Sequence, residues 1–225
     1  NYTSITLGTT QTDSLGNFRL DYPKDYKGMV LLKTQDNSSL VLLLDGEALS
    51  LQGTHITETE KMVLNESQNK YFFDYALAHS SRKNALNAWK YLDQLYGESK
   101  NFTAQTKVRK TINEEIGRLK SNEEKQVNRL SKESYLRWFI PYRTFIQDMP
   151  TIIRTEIQRI PESIRLFRTT DFNHPYWKTS GILQEFIEKH YFMLENSSGN
   201  VEEKQQKMNR SSQYLIQNLQ TNEIL

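Results

Sequence analysis

Near Ser67 the apolar residues stop recurring at every second position and begin to recur roughly every 3.6 positions. A chain with that switch must place sheet before helix. Upstream, Tyr2–Leu7 alternates and is rich in β-branched residues, Asp13–Asn17 is a turn cluster, and Phe18–Tyr22 alternates again. Gly28–Lys33 and Leu40–Leu44 are short apolar runs on either side of the turn-forming Gln35–Ser39. Asp45-Gly46 is a hairpin-type turn signal, Ala48–Gln52 alternates, and Lys61–Leu64 closes the set. Short strands with turns about 8 to 12 residues apart predict a small antiparallel sandwich or half-barrel. Roughly 60 residues make a marginal free-standing core. Such a sheet therefore has further strands upstream, or leans on the helices that follow.

Downstream, a helix starts at Ser67 with Tyr71, Phe72, Tyr75, Leu77 and Ala78 at apolar positions. A second apolar set runs from Leu86 through Trp89, Leu92 and Leu95 to Tyr96, and Gly97 supplies a stop. A long charged helix begins near Asn101–Thr103, its thin stripe running from Val108 through Ile112 and Leu119 to Leu130. Tyr135–Ile140 is the most apolar stretch. Pro141 falls in a first turn or at a kink, Pro150 ends or starts a helix, and Pro161 opens a short one. Asp171–Trp177 is a loop, and two helices close the chain near Ser180–Leu194 and Val201–Asn218. The expected fold class is α+β, with an antiparallel β-domain over 1–66 and a helical domain over 67–225.

A mean hydropathy of −0.72 is polar for a globular chain. Aromatic residues make up 11%, however, and they fill a core that aliphatics leave thin. Lys and Arg number 29 against 27 Asp and Glu, interleaved as in 113–125, so no concentrated basic face marks a nucleic-acid binder. The absence of cysteine excludes disulfides, thiolate nucleophiles and cysteine-bound metals within the chain. No apolar run approaches the roughly 20 residues that span a bilayer. The start at Asn1 suggests a removed N-terminus, and Asn222–Leu225 still follows a helical pattern.

Chemistry is sparse. His55, His79, His174 and His190 share no metal-type spacing, and no HExxH, GxSxG, SxxK or glycine-rich phosphate loop occurs. No catalytic, cofactor-binding or metal-binding residue is assigned, and no cofactor is expected. Arg137, Arg143, Arg154, Arg159, Arg165 and Arg168 punctuate the aromatic helices. They suit an anion or peptide groove, or interhelical pairing with Asp148, Glu156, Glu162 and Asp171, and the pairing is favoured. Trp138, Tyr142, Arg143, Tyr176 and Trp177 are the candidate ligand or partner surface. Asp148, Glu156 and Glu185 are the carboxylates from which a hidden acid–base pair could be drawn.

Asp13–Phe18, Tyr26–Val30 and Leu42–Glu47 together resemble the N-terminal β-domain of envelope thioredoxin-like (redoxin family) proteins of the Bacteroides group. Leu136–Pro141, Arg159–Glu162 and Asp171–Asn173 look like the helical insert that follows it in that family. In such proteins a thioredoxin domain with a CxxC pair comes next; no counterpart is found here, so no catalytic residue carries over. The resemblance implies a non-catalytic accessory or interaction region of a thiol–disulfide or peroxide-reducing protein. It also implies residence in the bacterial envelope, in the periplasm, with a lipid anchor through the removed N-terminus. The implied partner is another protein, the chain's own C-terminal redox domain, or a second copy in a homodimer, with no nucleic acid and no transmembrane segment. The alternative is a free-standing periplasmic protein whose aromatic-lined cleft takes a sugar or peptide.

Overall fold

The computed structural model describes residues 5–65, 67–99, 101–102 and 105–219. Strands come first and helices after, an α+β arrangement that is mostly helical. Strand β1 (Gly28–Lys33) pairs antiparallel with β2 (Ser39–Leu44), in register from Gly28↔Leu44 to Lys33↔Ser39. Asn37, in the turn between them, takes a left-handed φ of 64°, a conformation that asparagine tolerates. A second ribbon joins β3 (Leu51–Gln52) to β4 (Val63–Leu64).

The expected sandwich or half-barrel is thus reduced, among the described residues, to two separate two-stranded ribbons. Phe18–Tyr22 forms no ladder, and Phe18 is 41% exposed. Alternation gives an extended chain, but without a neighbouring strand its backbone groups are left to solvent. Of Tyr2–Leu7, residues 2–4 lie outside the described residues and the remainder is not strand.

The β1–β2 hairpin is apolar on successive residues because both of its faces are used. Paired residues share a face and neighbours alternate. Met29 and Leu43 therefore turn toward the helical core, while Val30, Leu32, Leu40 and Leu42 pack with Leu49, Leu51, Ile56, Met62 and Leu64. Gly28 is required where β1 abuts the helical turn at Thr179: a Cβ there would lie 2.3 Å from the Thr179 side chain.

Helix α1 (Ser67–Glu98) is one unbroken 32-residue rod, roughly 48 Å long, that takes in both apolar sets and ends beside Gly97. Helix α2 (Thr106–Asn128) starts after the expected Asn101–Thr103, of which Thr103 lies outside the described residues. The Tyr71 hydroxyl, near the start of α1, donates to the Gln126 carbonyl near the end of α2 at 2.7 Å, so the two helices run antiparallel. Helix α3 (Tyr135–Thr155) contains both Pro141 and Pro150. Pro150 therefore does not end it. Each proline removes one helical hydrogen bond, and both lie on the exposed side, away from Leu136, Phe139, Ile140, Met149 and Ile152.

A 3-10 turn (Ile157–Arg159) leads into α4 (Ile160–Thr169), with Pro161 in its first turn. Then come the short α5 (Trp177–Ser180), α6 (Leu183–Glu195) and α7 (Val201–Asn218). Asn200 caps α7 by accepting the Glu203 N–H at 2.8 Å. The main core joins α3, α4, α6 and the 172–182 segment through Phe139, Phe167, Phe172, Trp177, Phe186 and Met193. Leu43 of β2 belongs to that same buried cluster, so the change of element type at Ser67 does not divide one core from another.

Candidate functional site

Helix α3 and the turn before α5 bring four of the five candidate surface residues together. The Trp138 ring lies 5.1 Å from Tyr142, 5.7 Å from Tyr176 and 4.7 Å from Trp177, and it stacks on His174 at 5.2 Å. Trp138 and Tyr142 are four apart and so occupy neighbouring positions on one helix face. The 171–177 turn is folded onto that face by its own bonds. Trp177 Nε1 donates to the Asp171 carbonyl at 2.9 Å, and the Tyr176 N–H donates to His174 Nδ1 at 3.3 Å. That acceptor role requires a neutral ring, and burial pushes the His174 pKa down.

The knot is graded in exposure. Trp177 is 3% exposed and lies between Tyr142, Phe172 and Phe186, so it is core and presents no surface. Burial likewise raises the Tyr142 phenol above its ordinary value. Arg143 stands apart, 3.4 Å from Glu185 of α6. The half-buried Tyr176 faces outward, into a hollow of about 460 Å³ lined by Pro23, Asp25, Tyr26, Lys27, Pro175, Tyr176 and Thr179. Two tyrosines and two prolines give it flat apolar walls, and Asp25 and Lys27 supply one charge of each sign. The Tyr26 hydroxyl donates to the Met29 carbonyl at 3.2 Å and that of Tyr176 to the Glu133 carbonyl at 3.4 Å, which fixes both rings.

Pro23, Tyr26 and Thr179 are not among the candidate surface residues of the sequence, where Tyr26 enters only through the family resemblance. Their only signal was a proline and an aromatic in a turn without periodicity, and the fold alone places that turn beside Tyr176.

The densest polar constellation lies elsewhere, along α1. Tyr75 donates to Glu123 Oε1 at 2.8 Å, His79 Nδ1 bonds the same oxygen, and Arg82 approaches it at 3.8 Å. Burial pushes the Glu123 carboxyl up, but hydrogen bonds from His79 and Tyr75, with the charges of His79 and Arg82, outweigh it and hold the pKa below the usual range. Further along, Lys83 meets Asp148 at 3.2 Å, Arg159 joins Asp148 at 3.3 Å and Glu156 at 2.6 Å, and Lys90 closes on Glu156.

A carboxylate with His and Tyr is acid–base vocabulary, but Glu123 here is enclosed between helices. Asp148 and Glu156 share Arg159 and are held further by Lys83 and Lys90 respectively; Glu185 is separate, on Arg143. Among the described residues the hollow at Tyr176 is lined by a single carboxylate, Asp25. The arginines divide along the same lines. Arg159 pairs as expected with Asp148 and Glu156, and Arg165 pairs with Glu162 at 3.8 Å. Arg137 donates to the Leu130 carbonyl at 2.7 Å, and Arg168 reaches Ser211 and the Lys207 carbonyl.

Among the described residues no group of three or more His, Cys, Asp or Glu is arranged to hold a metal, and no helix is long and apolar enough to cross a membrane. Comparison with protein-family models, curated proteins and solved structures returned no match for this chain.

Proposed function

We propose that this chain is a non-catalytic interaction region that grips an extended segment of a partner protein in the hollow at Tyr26 and Tyr176. One observation carries the reading: an aromatic knot built on rigid α3 ends in a tyrosine that faces an open, proline- and tyrosine-walled hollow. Flat rings anchored through their hydroxyls offer contact area with little rotamer entropy left to lose, which suits recognition of proline- or aromatic-bearing peptides. The ionic constellations favour the same reading, since the carboxylates of Glu123, Asp148 and Glu156 are each held by neighbouring side chains of the fold. By its resemblance, the partner is a bacterial envelope protein or a redox domain further along the same polypeptide.

A free-standing binder of sugars would use the same walls, because tyrosine faces also stack on pyranose rings. Two panels separate the readings: proline- and aromatic-containing peptides, and oligosaccharides, each followed by thermal shift on the intact chain and on Tyr176→Ala. The expected result is a peptide-induced rise in Tm that Tyr176→Ala abolishes while its circular dichroism stays unchanged. A rise with oligosaccharides alone selects the second reading, and no rise with either panel rejects both. Sequencing the parent gene tests the redoxin kinship separately: an open frame lacking a CxxC-bearing thioredoxin pattern counts against it.

A further inference from the structure

Away from the aromatic knot, the 3-10 turn, α4, the α6–α7 turn and α7 enclose a second hollow of about 400 Å³. One wall is aliphatic, with Ile157, Ile160, Pro161 and Ile164. The other is cationic, with Arg168, Lys207 and Arg210, and Ser197 and Ser198 lie at the turn. Among the described residues no carboxylate lines it. Of the acids beside the lining in sequence, Glu156 pairs with Lys90 and Arg159 and Glu162 with Arg165, while the Glu203 carboxylate lies beside Gly199 of the α6–α7 turn.

Two of the cations are placed by the fold and keep donor capacity to spare. Arg168 Nε donates to Ser211 Oγ at 3.2 Å and Nη2 to the Lys207 carbonyl at 2.9 Å. Lys207 Nζ donates to the Ser198 carbonyl at 3.1 Å. These bonds use one face of the guanidinium and one of the three ammonium protons. Arg210 makes no ion pair among the described residues. Burial, and then the positive charge of Arg210, push the Arg168 pKa down. Like charges gathered in a concavity without a counterion are costly unless an anion fills it, and a guanidinium fork matches an oxyanion in geometry. Three isoleucines beside that fork provide for an apolar body on the same ligand.

We infer that this hollow is a binding site for a small amphiphilic oxyanion, with its carboxylate or phosphate on Arg168, Lys207 and Arg210 and its hydrocarbon body against Ile157, Ile160 and Ile164. The two head groups share the chemistry that recognises them, and the measurement distinguishes them. Octanoate, octyl phosphate, octanol and inorganic phosphate are titrated calorimetrically into the intact chain and into Arg210→Ala and Ile164→Ser. Arg210 is exposed, so its removal leaves the Arg168–Ser211 bond and the core in place. At least one of the two amphiphilic anions binds, at least ten-fold more tightly than octanol or inorganic phosphate; whichever is tighter identifies the head group. Arg210→Ala weakens that binding ten-fold or more, and Ile164→Ser weakens it without abolishing the preference for an anion. Equal binding of octanol, undiminished binding by Arg210→Ala, or no binding by either amphiphile overturns the inference. Because Tyr176→Ala leaves this site untouched, its failure and that of the hollow at Tyr26 are read independently.

Discussion

His190 shows how far a single residue can be removed from its solution chemistry. It is fully buried on α6, its ring lies flat on Phe167 with centroids 3.7 Å apart, and Nε2 shares a hydrogen bond with Ser211 Oγ at 2.9 Å. Arg168 donates to that same hydroxyl, which can then give its proton to Nε2 and hold the imidazole neutral. Burial, and then the nearby Arg168 charge, take the His190 pKa down to about 3. An unfolded histidine titrates near 6.5, about where neutral and charged forms balance. Between that value and about 3 the unfolded chain holds a proton that the native chain refuses. Stability is therefore complete above pH 6.5 and falls as pH drops, by up to about 1.4 kcal/mol per pH unit. His174, also lowered by burial, acts in the same direction. Glu123, lowered by its hydrogen bonds, adds its own loss only when pH passes below the carboxylate range. Denaturant unfolding at pH 7, 6 and 5 measures the slope. In His190→Gln, which keeps a polar group toward Ser211, the slope between pH 6 and 5 shrinks by about 1 kcal/mol per unit. Identical slopes in the two proteins would mean that His190 is not held neutral.

At the scale of elements, the junction of hairpin and helix depends on Asn69. Its side-chain amide, wholly buried on the first turn of α1, accepts the Leu43 N–H at 2.7 Å and donates to the Leu43 carbonyl at 2.8 Å. It does for the outer edge of β2 what another strand would do. Asn69→Ala strands two buried backbone groups and costs about 2–4 kcal/mol. A loss below 0.5 kcal/mol in urea unfolding, on the order of a neutral surface change, would show that the bridge contributes nothing. The elements themselves were legible where burial and period agree: the apolar runs at Gly28 and Leu40, the one-sided stripes of α2 and α3, and proline opening α4. Phe18–Tyr22 misled because alternation reports a surface that can be covered, not a partner that covers it. Pro150 misled because a helix tolerates proline where its ring faces solvent. The ionic seam was invisible for another reason. His79 and Glu123 are 44 residues apart, and Lys90 and Glu156 are 66 apart, so nothing local couples them. The knot of Trp138, Tyr142, Tyr176 and Trp177 was legible as residue types, but which of them face out was not.

Across the whole molecule, stability is distributed unevenly between a dense body and an arm. The fully buried side chains of α3, α4 and α6 form one aromatic core, whereas α1 has no buried residue beyond Tyr75. Its distal half meets α2 through half-exposed Trp89, Leu92, Leu95 and Tyr96, and in the outer part of α2 only Ile112 is buried. Near its start the α1 rod packs on α3 through Phe72 and Phe139. Its later turns are tied there by two ion pairs made by long side chains, Lys83 with Asp148 and Lys90 with Glu156 just after α3. Glu156 itself is buried, but the lysine ends of both pairs remain partly hydrated, and salt weakens that share of the attraction. A two-helix arm with one apolar seam opens at lower free energy than a core packed on all sides. In native-state hydrogen exchange, amides of 84–98 and 106–116 therefore exchange by local opening, at least 100-fold faster than those of 139–149 and 186–194, equivalent to about 2.7 kcal/mol. Raising the salt concentration widens that gap by speeding the arm and leaving the core unchanged. Equal protection in both regions, together with a gap that salt does not move, would show that the ion pairs lock the arm into the cooperative core.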